Sequence, residues 1–159
     1  MKENDKKGTL IVMCGIPGAG KSTRAQMMAE EDKRNGIESV VYSADDIREE
    51  LYGDASVQGN QARTFKILEE RVEKALKEGK TVYYDTTNRH KRGRRQLVKK
   101  FRPMADKIIC VFINPPFSVA NERNNSRERV VPQDVMNRYA QQLTIPSKKE
   151  GFDMVYVVC

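Results

Sequence analysis

The sequence predicts an α/β domain with a mostly parallel five-stranded sheet, helices on both faces and a short helical lid. Three observations predict it: short apolar runs alternate with helix-forming segments, a glycine-rich loop follows the first apolar run, and aspartates follow two later runs. Strands that alternate with helices are joined by crossovers, which favour a parallel sheet covered on both sides. A length of 159 residues suits one core, so we expect a single domain over residues 1–159.

The predicted strands are short, mainly apolar runs bounded by turn-forming residues. They comprise residues 9–14, 39–42, 81–84, 107–113 and 154–158. The predicted helices have apolar residues at helical spacing and end near glycine or proline. They comprise residues 21–34, a short helix that Asp45 or Asp46 caps and that runs to Leu51, a helix with Phe65, Leu68, Val72 and Leu76 that ends at Gly79, a basic helix before Pro103, residues 117–129, and a helix that opens at Pro132. Residues 1–8 are expected to form a flexible tail, and residues 53–60 a mobile loop.

The composition narrows the class of protein and its cellular setting. Hydrophobic residues make up 38% of the chain, and no apolar run approaches the ~18 residues of a membrane span. The first seven residues are polar and mixed in charge, unlike a signal peptide. The cysteines Cys14, Cys110 and Cys159 are odd in number and widely spaced, which favours reduced thiols. We therefore expect a cytoplasmic protein without a membrane partner.

One segment carries the whole excess of positive charge. The formal net charge is +7, and residues 89–102 contain eight lysines and arginines but no acidic residue, so the other 145 residues have a net charge of −1. Several basic residues crowd the expected start of a helix, where the helix dipole disfavours cations. They are His90, Lys91, Arg92, Arg94 and Arg95. A solvated helix face is one interpretation, and contact with a nucleic-acid backbone is the other.

The first predicted strand runs directly into a loop of the form G-x-x-x-x-G-K-S, which is typical of phosphate binding. Its residues are Gly15, Ile16, Pro17, Gly18, Ala19, Gly20, Lys21 and Ser22. Glycines let the backbone wrap closely, so successive N–H groups point at phosphates, and the next helix adds the positive end of its dipole. We expect Lys21 to reach the β- and γ-phosphates of ATP and the Ser22 hydroxyl to ligate Mg²⁺.

Two absences in the sequence narrow the class of phosphate-loop protein. No Asn-Lys-x-Asp motif is present, which a GTP-binding switch would use to recognise its base. The strand that ends at Asp85 is not followed by the glutamate that a hydrolytic motor would require. Both observations favour phosphoryl transfer to a small or exposed acceptor.

Aspartates follow the second and third predicted strands. Ligands bind outside the carboxyl ends of parallel strands, so Asp45, Asp46 and Asp85 should meet the glycine-rich loop at one edge of the sheet. Asp45 has two compatible interpretations, a helix N-cap and a general base that accepts the proton of an attacking hydroxyl. Arg48 lies on the same side of that short helix. It would hold an acceptor phosphate or pair with a nearby surface acid.

Two arginines four residues apart indicate a phosphate-binding lid at about residues 117–131. Arg123 and Arg127 would stack on one helical face, where like charges destabilise a helix. An anion between them would reverse that effect, and the charge that develops on a transferring phosphoryl group is such an anion. The alternative is a solvated helix face.

Taken together, these residues resemble the 5′-hydroxyl kinase domain of polynucleotide kinases, in the P-loop kinase group that also contains adenylate kinase. The resemblance extends from about residue 9 to residue 158. The segments that carry it are 15–23, 43–48, 85–88, 123–127 and 145–153.

The resemblance implies roles for individual residues. The nucleotide-binding residues it implies are Gly15, Pro17, Gly18, Ala19, Gly20, Lys21, Ser22, Thr23, Arg123 and Arg127. The acceptor-binding residues it implies are Asp45, Arg48, Asp85, Thr86 and Asn88. Asp45 would be the general base, with Lys21 and Arg127 as the other catalytic residues and Ser22 on the metal. ATP and Mg²⁺ are the implied cofactors, a nucleic acid with a 5′-hydroxyl end is the implied partner, and nucleic-acid repair is the implied context.

Three hypotheses follow for the function. The first is ATP-dependent transfer of the γ-phosphate to the 5′-hydroxyl end of a polynucleotide, either DNA or RNA. The second keeps the enzyme and changes the acceptor to a small-molecule hydroxyl on a metabolite, nucleoside or antibiotic. The third is a module that senses ATP without transferring phosphate.

Overall fold

The structure is a computed structural model that describes residues 6–88, 90–128 and 130–159. The strands within these residues are β1 (Gly8–Cys14), β2 (Ser39–Ser43), β3 (Thr81–Asp85), β4 (Ala105–Ile113) and β5 (Met154–Val158). They form one sheet in the order β2-β3-β1-β4-β5. All its pairings are parallel, which confirms the predicted sheet. Strand β1 begins at Gly8, inside the segment that we expected to be a flexible tail; residues 1–5 of that segment lie outside the described residues.

Helices connect the strands and cover both faces of the sheet. Those in the described residues are α1 (Lys21–Arg34), α2 (Ala44–Tyr52), α3 (Gln61–Lys77), α4 (Lys91–Phe101), α5 (Phe117–Asn125) and α6 (Gln133–Gln142). Short 3₁₀ turns form at Arg102–Met104 and Lys148–Glu150. None of the helices in the described ranges combines the length and the apolar character that crossing a bilayer requires.

The central strand β1 directs its side chains alternately to two apolar layers. Leu10 and Val12 are fully buried on the face that α2, α3 and α4 cover. Ile11 and Met13 are buried on the opposite face, against α1, α5 and α6. Each such side chain contributes roughly 1.5–3 kcal/mol by leaving water. The two layers fix the sheet, and with it the strand ends that carry the polar residues.

The first turn of α2 differs from the prediction in its capping residue. The N-cap is Ser43, whose hydroxyl accepts a hydrogen bond from the backbone N–H of Asp46 (3.1 Å). The prediction that Asp45 or Asp46 caps this helix is therefore wrong. Both aspartates lie in the first turn, where the helix dipole favours negative charge. The carboxylate of Asp45 is consequently not used for capping.

The helix of the predicted lid is shorter than expected. Helix α5 ends at Asn125, so Arg127 lies beyond it and does not stack on the same helical face as Arg123. The cause is the buried Asn124, whose side-chain amide donates to the carbonyl of Val131 (2.8 Å) and accepts from the N–H of Val131 (3.1 Å). These two bonds turn the chain back towards α6. Arg129, at the end of the predicted helix, lies outside the described residues.

Candidate nucleotide and acceptor site

The carboxyl ends of β1, β2, β3 and β4 meet at one edge of the sheet, and the segments that follow them form the candidate site. Residues 15–20 connect β1 to α1 as a phosphate loop. Gly18 and Gly20 have φ values of 82° and 104°, in the left-handed region that favours glycine. A Cβ on Gly18 would lie 2.3 Å from the carbonyl oxygen of Ala120, so the loop is in backbone contact with α5. Glycine is required here for both its conformation and its size.

Helix α1 begins without a side-chain cap. Its N-cap is Gly20, which has no side-chain hydrogen bond to offer the first turn. The first N–H groups of a helix have no partner within the helix, and its N-terminus carries a partial positive charge. This end of α1 is therefore suited to an anion such as a phosphate.

Lys21 lies in the first turn of α1 with its ammonium group shielded from water. The residue is half-buried as a whole, yet burial of the charged group lowers its pKa below the ordinary value of 10.5. The carboxylates of Asp85 and Asp45 act in the opposite direction and raise that pKa, and Arg127 lowers it further. Residues predicted to act together are thus close enough to influence one charge. Additional negative charge beside this ammonium group would therefore stabilise its protonated form.

Ser22 and Asp85 present oxygen atoms side by side at the entrance to α1. The Ser22 hydroxyl donates to Oδ2 of Asp85 (2.6 Å), and Asp85 is buried, with 7% of its surface exposed. Mg²⁺ prefers oxygen ligands and commonly combines one or two carboxylates with phosphate oxygens and waters. A hydroxyl and a carboxylate beside a phosphate loop fit that preference. No cluster of three or more histidine, cysteine, aspartate or glutamate side chains forms a separate metal site among the described residues.

The segment after β3 is fastened to the beginning of the phosphate loop. The N–H of Gly15 donates to the carbonyl of Thr87 (3.1 Å). The side-chain amide of Asn88 donates to the carbonyl of Met13 (2.7 Å). Asn88 has a φ of 49°, the left-handed conformation that residues other than glycine rarely adopt. Asn88 therefore connects the segment after β3 to the end of β1, directly before the phosphate loop.

The two predicted lid arginines both approach the phosphate loop, although they do not share a helix. Nη1 of Arg123 donates to the carbonyl of Ala19 (3.3 Å). Arg127 is half-buried and close enough to lower the pKa of Lys21. Three cationic side chains consequently surround the space where the terminal phosphates of a nucleotide would lie.

An open cavity of about 320 Å³ adjoins the outer side of the phosphate loop. Its lining combines loop and α1 residues with the ends of β4 and β5 and one lid arginine. The lining residues are Ala19, Gly20, Thr23, Arg24, Met27, Ile113, Arg123, Val158 and Cys159. A mixed apolar and cationic cavity next to phosphate-binding N–H groups is suited to the remainder of a nucleotide.

The predicted acceptor residues Asp45 and Arg48 lie together with Gln61. Nη1 of Arg48 donates to Oδ1 of Asp45 (3.0 Å), and Nη2 donates to the side-chain oxygen of Gln61 (3.0 Å). The Arg48 side chain is only 11% exposed, whereas that of Asp45 is 50% exposed. Nε of Arg48 is buried and lacks a hydrogen-bond partner among the described residues. One N–H group of this guanidinium is thus left without an acceptor from the described residues. The sequence had given no signal for Gln61.

The basic helix α4 divides its cations between solvent and core. Lys91, Arg92, Arg95 and Lys99 are exposed. Arg94 is fully buried and pairs with the buried Glu150, so the prediction that it contacts nucleic acid is wrong. The physical cause is the apolar side of α4, which places every third or fourth residue against the sheet. Arg89, the first cation of the segment, lies outside the described residues.

Cys14 is a core residue and not a nucleophile. It is fully buried at the end of β1, and burial raises the pKa of its thiol to about 11. Its Sγ donates to the carbonyl of Asn88 (3.2 Å). Burial also raises the pKa of Cys110. Cys159 is exposed, and all three cysteines are free thiols.

This five-stranded parallel sheet and its phosphate loop define the class of P-loop NTPase folds that kinases use. A family model described as an AAA domain matches residues 10–146, and the chain belongs to that family of P-loop kinase domains.

Among curated proteins, the chain is 22% identical to the L-seryl-tRNA(Sec) kinase of Methanococcus maripaludis, over 91% of this chain and 56% of that protein. It is 27% identical to the adenylyl-sulfate kinase of Buchnera aphidicola, over 77% of this chain and 59% of that protein. Among solved structures, a chain of the Pnkp1/Rnl/Hen1 RNA repair complex superimposes with a TM-score of 0.76 at 24% identity, over 96% of this chain and 49% of that chain. The chain therefore spans about half the length of each of these relatives.

Proposed function

We propose that the chain is an ATP-dependent kinase that transfers the γ-phosphoryl group to the 5′-hydroxyl end of a polynucleotide. The observation that carries the proposal is the acceptor pair, Asp45 and Arg48, placed beside Lys21 at the edge of a surface of exposed cations. The Asp45 carboxylate is suited to act as a general base, and the Arg48 guanidinium is suited to bind a phosphate next to the reacting hydroxyl. The exposed cations are suited to bind a long polyanionic acceptor.

On the donor side, the N–H groups of the phosphate loop and of the α1 N-terminus would bind the phosphate oxygens of ATP. Lys21 would contact the β- and γ-phosphates, because burial of its ammonium group lowers its pKa and phosphate charge would compensate for the lost solvation. Ser22 and Asp85 would hold Mg²⁺, which supplies neutralisation of phosphate charge when it is bound. Arg123 and Arg127 would close on the phosphates from the lid.

On the acceptor side, Asp45 would accept the proton of the attacking hydroxyl. The O–H bond breaks, the hydroxyl oxygen forms a bond to the γ-phosphorus, and the bond from that phosphorus to the bridging oxygen breaks, so ADP leaves. Lys21 and Arg127 stabilise the charge that spreads over the transferring group. In the described conformation Asp45 is bonded to Arg48. An acceptor phosphate bound by Arg48 would compete for the guanidinium and leave Asp45 to the hydroxyl.

The acceptor pair lies at one end of a surface that we call the basic surface. It consists of exposed cations on α3 and α4 that have no ion-pair or side-chain hydrogen-bond partner among residues 6–88, 90–128 and 130–159. They are Arg63, Lys66, Lys74, Lys91, Arg92, Arg95 and Lys99. The helices lie side by side, since Lys100 of α4 pairs with Glu69 of α3. Both helices begin near the candidate site. Gln61, the first residue of α3, is hydrogen-bonded to Arg48, and Lys91, the first residue of α4, follows the segment after β3. A strand of phosphates would therefore find cations on both sides as it leaves the acceptor pair.

The proposal is tested by transfer from γ-labelled ATP to 5′-hydroxyl DNA and RNA oligonucleotides, with 5′-phosphorylated oligonucleotides as the matched control. Transfer should occur only to the 5′-hydroxyl ends. It should weaken steeply as salt rises, since the acceptor displaces counterions when its phosphates are neutralised. An absence of transfer at low salt, by protein that binds Mg·ATP, contradicts the polynucleotide acceptor.

A small-molecule hydroxyl is the second candidate acceptor. The similarity to an adenylyl-sulfate kinase supports it, because that name describes a kinase acting on a small nucleotide. Salt separates the two candidates: transfer to a small acceptor of low charge should change little between 50 and 200 mM salt, whereas a protein with 6–10 phosphate contacts loses ~10³–10⁵ in affinity over that range. A module that senses ATP without transfer is the third candidate, and it predicts that Asp45→Asn has no functional effect.

A further inference from the structure

One guanidinium group of the basic helix is used inside the protein. Arg94 is 0% exposed, while Arg92 and Arg95 on the same helix face solvent. Its Nε donates to Oε1 of Glu150 (2.6 Å), and Nη2 donates to Oε2 of Glu150 (3.3 Å) and to the hydroxyl of Thr144 (2.9 Å). Its Nη1 donates to the backbone carbonyl of Asn88 (2.8 Å). Every nitrogen of the group therefore has an acceptor.

The contact between Arg94 and the Asn88 carbonyl is significant because Asn88 belongs to the segment after β3. That segment is hydrogen-bonded to the end of β1 and to the first residue of the phosphate loop. A non-glycine residue in the left-handed region costs of order 1–3 kcal/mol and persists only when its surroundings fix it. The Asn88 side chain bonds the carbonyls of Met13 and Thr86, and its own carbonyl accepts from both Arg94 and Cys14. The guanidinium donor is the charged one, so it is the strongest of these bonds.

The partner of Arg94 is also fixed. Glu150 is buried, and its Oε2 accepts from the N–H of Ser147 (3.0 Å) as part of a capping box at the 3₁₀ turn. A buried ion pair does not by itself imply stability, because replacing both partners with uncharged residues of similar volume is often neutral or stabilising. The orientation that Glu150 gives to the Arg94 guanidinium group is therefore the feature of the pair that acts on Asn88.

We propose that Arg94, oriented by Glu150, is a positioning residue for the phosphate and metal site. By holding the Asn88 carbonyl, it fixes residues 85–88. That segment keeps the Asp85 carboxylate on the Ser22 hydroxyl and the Thr87 carbonyl on the N–H of Gly15. The geometric part stands on these contacts alone, and its kinetic consequence rests on the proposed kinase function.

The double variant Arg94→Met/Glu150→Gln tests this inference. It removes both charges at similar volume, and glutamine can still accept from the Ser147 N–H, so we expect the variant to fold. We expect Mg·ATP affinity by calorimetry to fall roughly 10–100-fold, as is usual when a group that orients metal or phosphate ligands is lost. Amide hydrogen exchange at Gly15 should become faster. The control is Arg71→Met/Glu50→Gln, which removes an exposed bidentate pair between α3 and α2 (2.9 and 2.6 Å).

A folded double variant with wild-type Mg·ATP affinity and unchanged exchange at Gly15 overturns the inference. Should it fail to fold, Arg94→Lys decides instead. Lysine keeps the charge for Glu150 but not the planar fork that also reaches Asn88. Wild-type Mg·ATP affinity and wild-type exchange at Gly15 in Arg94→Lys would show that the pair only stabilises the fold, and weaker affinity with faster exchange in folded Arg94→Lys supports positioning. These readouts need only nucleotide, so they remain decisive even where the wild-type protein transfers nothing to a polynucleotide.

Discussion

The donor and acceptor sides of the cleft are built by different means. On the donor side, backbone groups of residues 15–20 would face the phosphates, and backbone contacts reach that loop from α5 and from the segment after β3. On the acceptor side, side chains do the equivalent work: Asp45, Arg48 and Gln61 hold one another through their polar ends. A site made from backbone tolerates many surrounding sequences, whereas a site made from side chains changes with each substitution.

The largest expected effect is on the donor side. Lys21→Met removes the cation that we propose contacts the β- and γ-phosphates, and we expect phosphoryl transfer to fall about 10³-fold or more. The fold should be retained, because the shielded ammonium group costs the apo protein desolvation energy. The measurement is transfer from labelled ATP together with a thermal melt. Lys33→Met, on the exposed end of α1, is the control. Undiminished turnover by Lys21→Met would show that the donor side is misassigned.

A smaller effect is expected on the acceptor side from Arg48→Gln. The variant would lose the proposed charged contact to the acceptor phosphate, which corresponds to a rise in acceptor KM of roughly 10–100-fold. The KM for ATP should stay near the wild-type value, because Arg48 bonds Asp45 and Gln61 and not the phosphate loop. Steady-state kinetics with each substrate varied in turn provide the measurement. A change confined to the KM for ATP would mean that the two sides are not separate.

The pH dependence of ATP binding follows from Lys21. In the free protein its pKa lies below 10.5, and bound phosphates would raise it by adding negative charge. Between the two values the complex binds more protons than the free protein. Binding therefore takes up a proton, and ATP affinity falls as pH rises through this alkaline window, by at most about tenfold per pH unit. Calorimetry in buffers of different ionisation enthalpy measures the uptake. Zero proton uptake across the alkaline range would contradict the position given to Lys21.

The smallest effect concerns Cys159, which lies at the cavity beside the phosphate loop. At pH 8 an alkylating reagent should modify this exposed thiol first. Cys14 is buried, and its pKa of about 11 keeps it protonated at that pH. Mg·ATP should slow the labelling of Cys159 a few-fold by occupying the cavity. Mass spectrometry of the labelled protein gives the rate for each cysteine. An unchanged labelling rate of Cys159 in the presence of Mg·ATP would show that the nucleotide does not occupy this cavity.

Features that depend on local signals were predictable from the sequence. The bounds of α1 and β5 match the prediction, because a glycine loop, a helix stop and an apolar run each act over a few residues. The residues of the phosphate loop lie together for the same reason, because they are consecutive in the chain. The features that the sequence did not predict depend on distant partners. Arg94 is buried because Glu150, 56 residues away, neutralises it, and α5 stops early because the Asn124 side chain bonds Val131. The role of Gln61 could not be predicted, because it depends on a hydrogen bond from Arg48, 13 residues away in the sequence.

The most direct test of the account is the rate of phosphoryl transfer by Asp45→Asn beside Asp46→Asn. The two aspartates are adjacent in the first turn of α2, but only Asp45 acts on Lys21 and bonds Arg48. The account predicts that Asp45→Asn lowers kcat roughly 10²–10⁴-fold, the usual contribution of a general base, with ATP affinity preserved. Asp46→Asn should retain wild-type kcat. Equal rates for the two variants would contradict the assignment of Asp45 as the base that activates the acceptor hydroxyl.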